Sequence, residues 1–241
     1  RELEVWALLD VTPSMNWGTE GVTKRDLGIA AIATIGFLTQ QMGDRFGGLI
    51  MRPDKIARIP ARSGRMALYG LLRRMLTEPI VKDHSAGSFE LAAGIEAMAR
   101  LQRRRGLRVV VSDFLSAGDT ELDPNVEPDW ERPLRRLGVR NQVLCVEVVD
   151  RRELEFPDVG DILIRDPESD FQRYVNTSDA AARARFDAAA AAQRERVRIA
   201  IRRAGAGHIS LRTDRDWVYD IARFVLAYRR TAVMLHQPPQ G

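Results

Sequence analysis

Cysteine and histidine are scarce in this chain of 241 residues, and their scarcity argues against two kinds of site. The one cysteine, Cys145, cannot form an internal disulfide, so nothing in the sequence requires an oxidising compartment. Its position inside an apolar run favours a small buried side chain over a nucleophile. The three histidines, His84, His208 and His236, are scattered, and each is more typical of a surface or core residue than of a metal ligand.

Concentrated positive charge and long apolar segments are also missing. Lysine occurs only at Lys24, Lys55 and Lys82, so arginine supplies nearly all of the 37 basic residues, and the net charge is +4. Because these residues are spread along the chain rather than gathered in one arm, we do not expect nucleic acid as a partner. No apolar stretch is long enough to span a bilayer, and no signal peptide precedes the first strand.

The first residue, Arg1, leads almost directly into a core strand. We therefore expect the chain to be a fragment that lacks an upstream segment, and that segment could carry a membrane anchor. Within the fragment there is no internal repeat and no clear linker, so we predict one domain over residues 1–233 and a disordered tail over residues 234–241.

Apolar runs of strand length alternate with helical periodicity along this domain. Strands are predicted at residues 3–9, 45–51, 55–61, 107–114, 141–149, 161–165, 171–175 and 207–211. Helices are predicted at residues 26–42, 88–104, 130–137, 180–204 and 217–229, with a further helix that begins at Ser63 as its N-cap and stops near Pro79. The alternation predicts an α/β fold, Rossmann-like and doubly wound, whose mostly parallel central sheet has helices on both faces and one antiparallel edge strand.

Polar residues follow the first predicted strand at alternating positions. Asp10, Thr12 and Ser14 lie two apart, and in an extended segment such side chains point the same way. They could therefore direct three oxygen atoms at one point just past the strand. A site built from oxygen atoms with few charges suits a hard cation such as Mg²⁺.

Two further segments could complete this site. Asp113 follows the strongest strand signal in the chain, and Ser88 lies where a loop enters a helix. Ligands of open α/β sheets bind beyond the carboxyl ends of the strands, so these residues belong near Asp10 if the strands are neighbours. Together the segments offer two carboxylates and three hydroxyls, enough to surround one metal ion.

This combination resembles the metal-ion-dependent adhesion site of von Willebrand factor type A (vWA) domains. Over nearly the whole chain, the sequence is similar to those of one bacterial branch, the domain-of-unknown-function family 58. The phrases that carry the resemblance are Leu8–Met15, Gly43–Arg45, Ser112–Phe114 and Thr213–Trp217. There are two departures from the usual pattern: Thr12 replaces the commoner serine, and Ser88 stands where threonine is usual and is followed by Phe89 rather than an acid.

The resemblance implies a non-enzymatic interaction domain of the vWA class. By position, the metal ligands would be Asp10, Thr12, Ser14, Ser88 and Asp113. Two carboxylates and neutral hydroxyls leave a coordination position of Mg²⁺ open, which an Asp or Glu of a partner protein would fill; Mn²⁺ or Ca²⁺ could substitute. Asn16, Trp17 and Gly18 would form the rim that contacts the partner. The family setting implies the bacterial cytoplasm and work beside a MoxR-type AAA+ ATPase in chaperone-like assembly.

Two other interpretations remain open at this stage. The Asp10–Ser14 segment could be only a turn and helix cap, for which these residue types are common. A Mg²⁺-dependent phosphohydrolase could use Asp10 as nucleophile and Ser112 to hold phosphate. That chemistry needs a second acid at position 12, where Thr12 cannot transfer a proton, together with a well-placed lysine and a late acidic pair, for which Asp158 and Asp161 are poor candidates. Neither a nucleophile elbow nor a dinucleotide loop is present.

Overall fold

A six-stranded sheet forms the centre of the molecule. The computed structural model describes residues 4–19, 21–39, 44–80, 90–101, 105–115, 126–165 and 172–224. The strands are β1 (Glu4–Asp10), β2 (Arg45–Met51), β3 (Ile56–Ser63), β4 (Gly106–Ser112), β5 (Gln142–Val149), β6 (Asp161–Arg165), β7 (Gln172–Asn176) and β8 (Gly207–Arg212). The helices are α1 (Lys24–Thr39), α2 (Arg65–Leu76), α3 (Leu91–Leu101), α4 (Glu131–Gly138) and α5 (Ala180–Arg203), and residues 217–224 are also helical.

The strand order of the central sheet is β3-β2-β1-β4-β5-β8. Every neighbouring pair in it is parallel except β2 and β3, which form an antiparallel hairpin at one edge. Among the described residues, strands β6 and β7 pair only with each other, as a separate antiparallel sheet. The predicted fold class, mostly parallel with one antiparallel edge strand, is confirmed.

Strand β1 is buried along its whole length because helices cover both faces of the sheet. Its side chains alternate: Val5, Ala7 and Leu9 pack with α1 and α2, whereas Trp6 and Leu8 pack with α3, α4 and α5. Two hydrophobic cores result, one on each side of the sheet. The carboxyl ends of β1 and β4 lie side by side, with Leu9 opposite Val111. The residues that follow these two strands are therefore brought together at one edge of the sheet.

Helix α1 begins at Lys24, two residues before its predicted start, and the start of α2 also differs from its prediction. Ser63 was expected to cap α2, but it is the last residue of β3, paired with Arg45. Gly64 occupies the cap position with a φ of 90°, a conformation that glycine adopts without the steric cost of a Cβ atom. Antiparallel pairing therefore extends two residues past the predicted end at Ala61, and the chain turns into the helix at the glycine.

Two expectations about the chain ends lie outside the described residues. The predicted tail at residues 234–241 is one, and the end of the domain at residue 233 is the other. Among the helices that the structure describes, none is both long enough and apolar enough to cross a membrane.

Candidate metal site

The carboxylate of Asp10 lies at the carboxyl end of β1 and is held by three hydrogen bonds. Its Oδ1 accepts from the backbone N–H of Thr12 at 2.9 Å and from the Thr12 hydroxyl at 2.7 Å. Its Oδ2 accepts from the Ser112 hydroxyl, on neighbouring β4, at 2.8 Å. Asp10 is buried, so these bonds replace the water that the carboxylate loses on folding.

The other predicted oxygen ligands continue from Asp10 in an arc. The hydroxyls of Thr12 and Ser14 are 3.3 Å apart, and the side chain of Ser14 hydrogen bonds to Asp113. The carboxylate of Asp113 also accepts from the backbone N–H of Leu115 at 3.1 Å. Immediately after Asp113, Phe114 has a φ of 57° and packs edge-on against Trp130. This left-handed residue turns the chain away from β4 directly after the acid.

Lys24 brings a buried positive charge to the same place, which the sequence around it does not predict. Its Nζ donates to Asp113 Oδ2 at 2.8 Å and also to Glu153 Oε1, and the lysine side chain is 0% exposed. One feature of the sequence could have indicated a role for Lys24: lysine is rare in a chain that otherwise uses arginine, and this lysine comes just after the first loop. Glu153 lies far along the chain, and no pattern in the sequence connected it with Asp113.

The two site carboxylates have opposite shifts of their pKa values. Burial, together with the charge of Asp113, raises the pKa of Asp10 to about 6. Burial acts in the same direction on Asp113, but the Lys24 ammonium and its hydrogen bond outweigh it, so the pKa of Asp113 is below its ordinary value. For Lys24, burial opposes the charged form, yet Asp113 and Glu153 together raise its pKa to about 12.

A second set of hydrogen bonds extends from Lys24 toward the predicted rim. Glu153 accepts from the backbone N–H of Asp150 at 3.1 Å, at the start of the short turn Arg151–Glu153. The carboxylate of Asp150 accepts from the Thr213 hydroxyl at 2.7 Å, and from both the backbone N–H and the hydroxyl of Thr19. The loop that contains the rim is thereby tied to the turn after β5.

The three predicted rim residues lie next to this arrangement and reach the surface. Trp17 is 54% exposed, Gly18 is exposed and Asn16 is half-buried. The carbonyl of Trp17 accepts from the backbone N–H of Lys24 at 2.8 Å. A Cβ atom at Gly18 would lie 1.8 Å from the Val22 carbonyl oxygen, so the close approach of the two backbone segments requires glycine there.

The donor set fits a hard cation bound by oxygen atoms. Two carboxylates and two hydroxyls, from Asp10, Thr12, Ser14 and Asp113, are linked through hydrogen bonds. Ser88, the fifth predicted ligand, lies outside the described residues. Within the described part of the chain no group of three or more His, Cys, Asp or Glu side chains is placed to hold a metal ion. Binding would therefore depend on the hydroxyls as well as on the two acids.

The geometry does not favour the phosphohydrolase. Both oxygens of Asp10 accept hydrogen bonds, and the side chain at position 12 is a hydroxyl that contacts Asp10. Lys24 supplies a lysine at the site, but its ammonium contacts Asp113 and Glu153. Asp158 was a poor candidate for the late acidic pair of such an enzyme, and its position agrees with that: it is exposed and contacts Arg183 and Ser178.

Two solved structures are similar to this chain over most of its length. An aerotolerance-related membrane protein from Bacteroides fragilis matches with a TM-score of 0.55 and 13% identity, over 95% of this chain and 99% of that chain. The VWA domain of SpRpn10 matches with a TM-score of 0.47 and 10% identity, over 92% and 94% of the two chains.

Relatives by sequence are much closer. The uncharacterized protein Rv1480 of Mycobacterium tuberculosis is 44% identical over 237 residues, which cover 98% of this chain and 71% of the relative. A shorter uncharacterized protein of Mycobacterium avium is 43% identical over 178 residues, 74% of this chain. Residues 1–196 match the family described as "Protein of unknown function DUF58". With most of its length matched, this chain belongs to the DUF58 family.

Proposed function

We propose that this domain binds a divalent cation, Mg²⁺ in the cell, and through it an acidic group of a partner protein. Asp10, Thr12, Ser14 and Asp113 would hold the cation, with Ser88 as a fifth ligand, and Mn²⁺ or Ca²⁺ could take its place. The cation would supply a positive centre that accepts one more carboxylate. No bond of the partner would be broken.

The observation that carries this proposal is the excess of buried negative charge. Asp10 and Asp113 are both buried within one connected set of oxygen atoms, and each charge penalises the other. Lys24 pairs with Asp113, while the described residues form no ion pair with Asp10. A buried carboxylate without a counter-charge is costly, so a cation bound beside Asp10 would relieve that cost. The same carboxylates then favour the bound cation.

Partner binding is supported by what surrounds the site. The exposed indole of Trp17 lies in the loop that directly follows the Pro13–Asn16 turn, and large aromatic side chains are frequent anchors of protein interfaces. The partner could be a substrate of, or a component beside, a MoxR-type AAA+ ATPase in the bacterial cytoplasm. The family resemblance is the support for that setting, and it remains a prediction.

The direct test is cation binding by the purified domain. We expect isothermal titration calorimetry with MgCl₂, and electron paramagnetic resonance with Mn²⁺, to detect one site in the wild type and none in Asp10→Asn. Asp158→Asn is the matched control, because it makes the same chemical change on an exposed carboxylate far along the chain. Absence of binding in the wild type would overturn the proposal.

A pull-down from a host lysate then tests the partner. We expect at least one protein to be retained in Mg²⁺ and released by a chelator, with retention reduced by Trp17→Ala although this variant still binds the cation. The same preparation should not hydrolyse an aryl phosphate. Turnover that Asp10→Asn abolishes would instead establish the phosphohydrolase.

A further inference from the structure

The ammonium of Lys24 is a buried cation at the candidate site, and the proposed function does not use it. It lies 2.8 Å from Asp113 Oδ2, and the second carboxylate that it contacts, Glu153, is 28% exposed. Lys24 is fully buried, and an ion removed from water in this way is stable only if it is paired. The structure supplies two partners for one ammonium, one inside the site and one at its margin.

The choice of lysine here is informative because arginine dominates the chain. A guanidinium is planar, with donors arranged in a rigid fork that engages a carboxylate through two parallel bonds. An ammonium is a compact point charge on a flexible stem, and its three donors can change partners by rotation. Lysine is therefore the residue that can leave one carboxylate while keeping the other.

We propose that the Lys24 ammonium is a built-in competitor of the divalent cation: it neutralises Asp113 in the cation-free protein and moves onto Glu153 when the cation binds. The inference rests on the proposed cation site and deepens it, since it names the residue that sets the site's affinity. In the cation-free protein the Lys24 ammonium is the counter-charge of Asp113, so the domain stays folded without a bound metal ion.

Competition follows from the limited number of acceptor positions on Asp113. Its Oδ1 is engaged by the backbone N–H of Leu115, its Oδ2 by the Lys24 ammonium, and the Ser14 side chain also hydrogen bonds to this carboxylate. A divalent cation at Asp113 would lie close to that ammonium, where like charges repel, so binding of the cation is easier after the ammonium has withdrawn. Glu153 lowers the cost of withdrawal because it already contacts Nζ. The affinity for the cation is then a difference between two competing interactions.

Two substitutions move this balance in opposite directions. Lys24→Met keeps an unbranched apolar stem and removes the competitor, so Mn²⁺ should bind about tenfold more tightly, or better, than to the wild type. Glu153→Gln removes the charge that receives the ammonium, which leaves it on Asp113, so Mn²⁺ should bind several-fold more weakly. Arg152→Met is the matched control, because it deletes one positive charge from the exposed surface of the same turn. We expect its affinity to stay close to that of the wild type.

The readout is the dissociation constant for Mn²⁺ from electron paramagnetic resonance, together with denaturation of the cation-free variants to establish folding. Wild-type binding that Lys24→Met leaves unchanged or weakens would overturn the competition and leave the proposed function standing. Binding by Lys24→Met alone would support the competition and refute a cation-dependent function for the natural protein. If no variant and no wild type binds Mn²⁺, both are wrong. If Lys24→Met fails to fold, Glu153→Gln decides: weaker binding supports the competition, and unchanged binding overturns it.

Discussion

Asp10 and Asp113 are chemically identical side chains in almost the same place, yet their environments push their pKa values apart. Both are buried, and burial by itself raises the pKa of each. The difference is Lys24, which forms an ion pair with Asp113. The hydrogen bonds that Asp10 receives do not outweigh burial and the repulsion from Asp113. The ionised form of Asp10 is therefore unfavourable in the metal-free protein.

The pH dependence of stability should reveal this penalty. The pKa of Asp10 is about 6 in the folded protein against an ordinary value of 3.8, so between these values the folded state holds a proton that the unfolded state has released. Stability attributable to this group is therefore present at low pH and is lost as the pH rises through about 6. Asp10→Asn, which imitates the protonated side chain, should stabilise the metal-free protein at pH 7.5 by about 1–3 kcal/mol.

Urea denaturation with a chelator present, at several pH values, measures this effect. The gap in unfolding free energy between Asp10→Asn and the wild type should narrow as the pH falls from about 6 toward 4. A gap that does not change with pH would show that folding does not raise the pKa of Asp10. The variant that gains stability here is the one expected to lose cation binding, so the two effects cannot arise from general damage.

At the scale of single residues, the sequence identified much of what the structure brings together. Asp10, Thr12 and Ser14 were predictable because alternation within one extended segment is a local property. Asp113 was predictable because parallel strands end at the same edge of a sheet. Lys24 was not, because whether a lysine is exposed or buried depends on how helix α1 lies against the sheet. Ser88 stays a prediction.

At the scale of elements, the close approach of α1 to the sheet carries Lys24 to Asp113. Gly28, one turn after Lys24, makes this approach possible: a Cβ atom there would lie 2.7 Å from Val111 Cγ1 and 3.3 Å from Leu9 Cδ1. Val111 and Leu9 lie at the ends of β4 and β1, just before the two acids of the site. The glycine therefore sets the distance between the first turn of the helix and the candidate metal site.

Gly28→Ala should consequently lower the unfolding free energy by about 1–3 kcal/mol, because the added methyl forces the helix away from the sheet. Gly70→Ala is the matched control in α2, since a Cβ atom there meets nothing within 4 Å. The same chemical change should stabilise the protein by about 0.5–1 kcal/mol through helix propensity and a less flexible unfolded chain. Equal effects of the two substitutions in chemical denaturation would contradict this account of α1.

At the scale of the whole molecule, both helical layers converge on Asp113. Lys24 reaches its carboxylate from α1, on one face of the sheet, and Arg194 of α5, on the other face, donates to its backbone carbonyl at 3.2 Å. Arg194 also pairs with the buried carboxylate of Glu147 at 2.9 Å, and Glu147 contacts His208 of β8. The site thus lies where charges from the two layers meet across the ends of β4 and β5.

Arg194→Met should therefore destabilise the whole domain, by about 3 kcal/mol, because it leaves Glu147 buried without its main counter-charge. Arg198→Met on the same helix removes an arginine whose pair with Glu195 is exposed, and it should cost less than about 1 kcal/mol. Thermal and urea unfolding of the two variants measure the difference. A loss for Arg194→Met no larger than that for Arg198→Met would show that α5 contributes little through this pair.

The amino-acid sequence by itself determined the class and order of the fold. Hydrophobic periodicity is local, and it specified the strands, the helices and the antiparallel hairpin β2–β3; the order of strands and helices implied a mostly parallel sheet. Short polar segments after β1 and β4 predicted the edge of the sheet at which the candidate site lies. The boundary between Ser63 and Gly64 was missed because the extent of β3 depends on its pairing with β2.

Only the tertiary structure decided the charge of the candidate site. Glu153 and Asp150 lie more than a hundred residues from Lys24 and Thr19, and packing of both layers against the sheet brings each pair into contact. Burial then makes these contacts matter, because charges removed from water interact strongly and must be balanced. The residues that offer oxygen atoms can be predicted from the sequence. The ion pair between the Lys24 ammonium and Asp113, which neutralises one of the two acids, depends on packing.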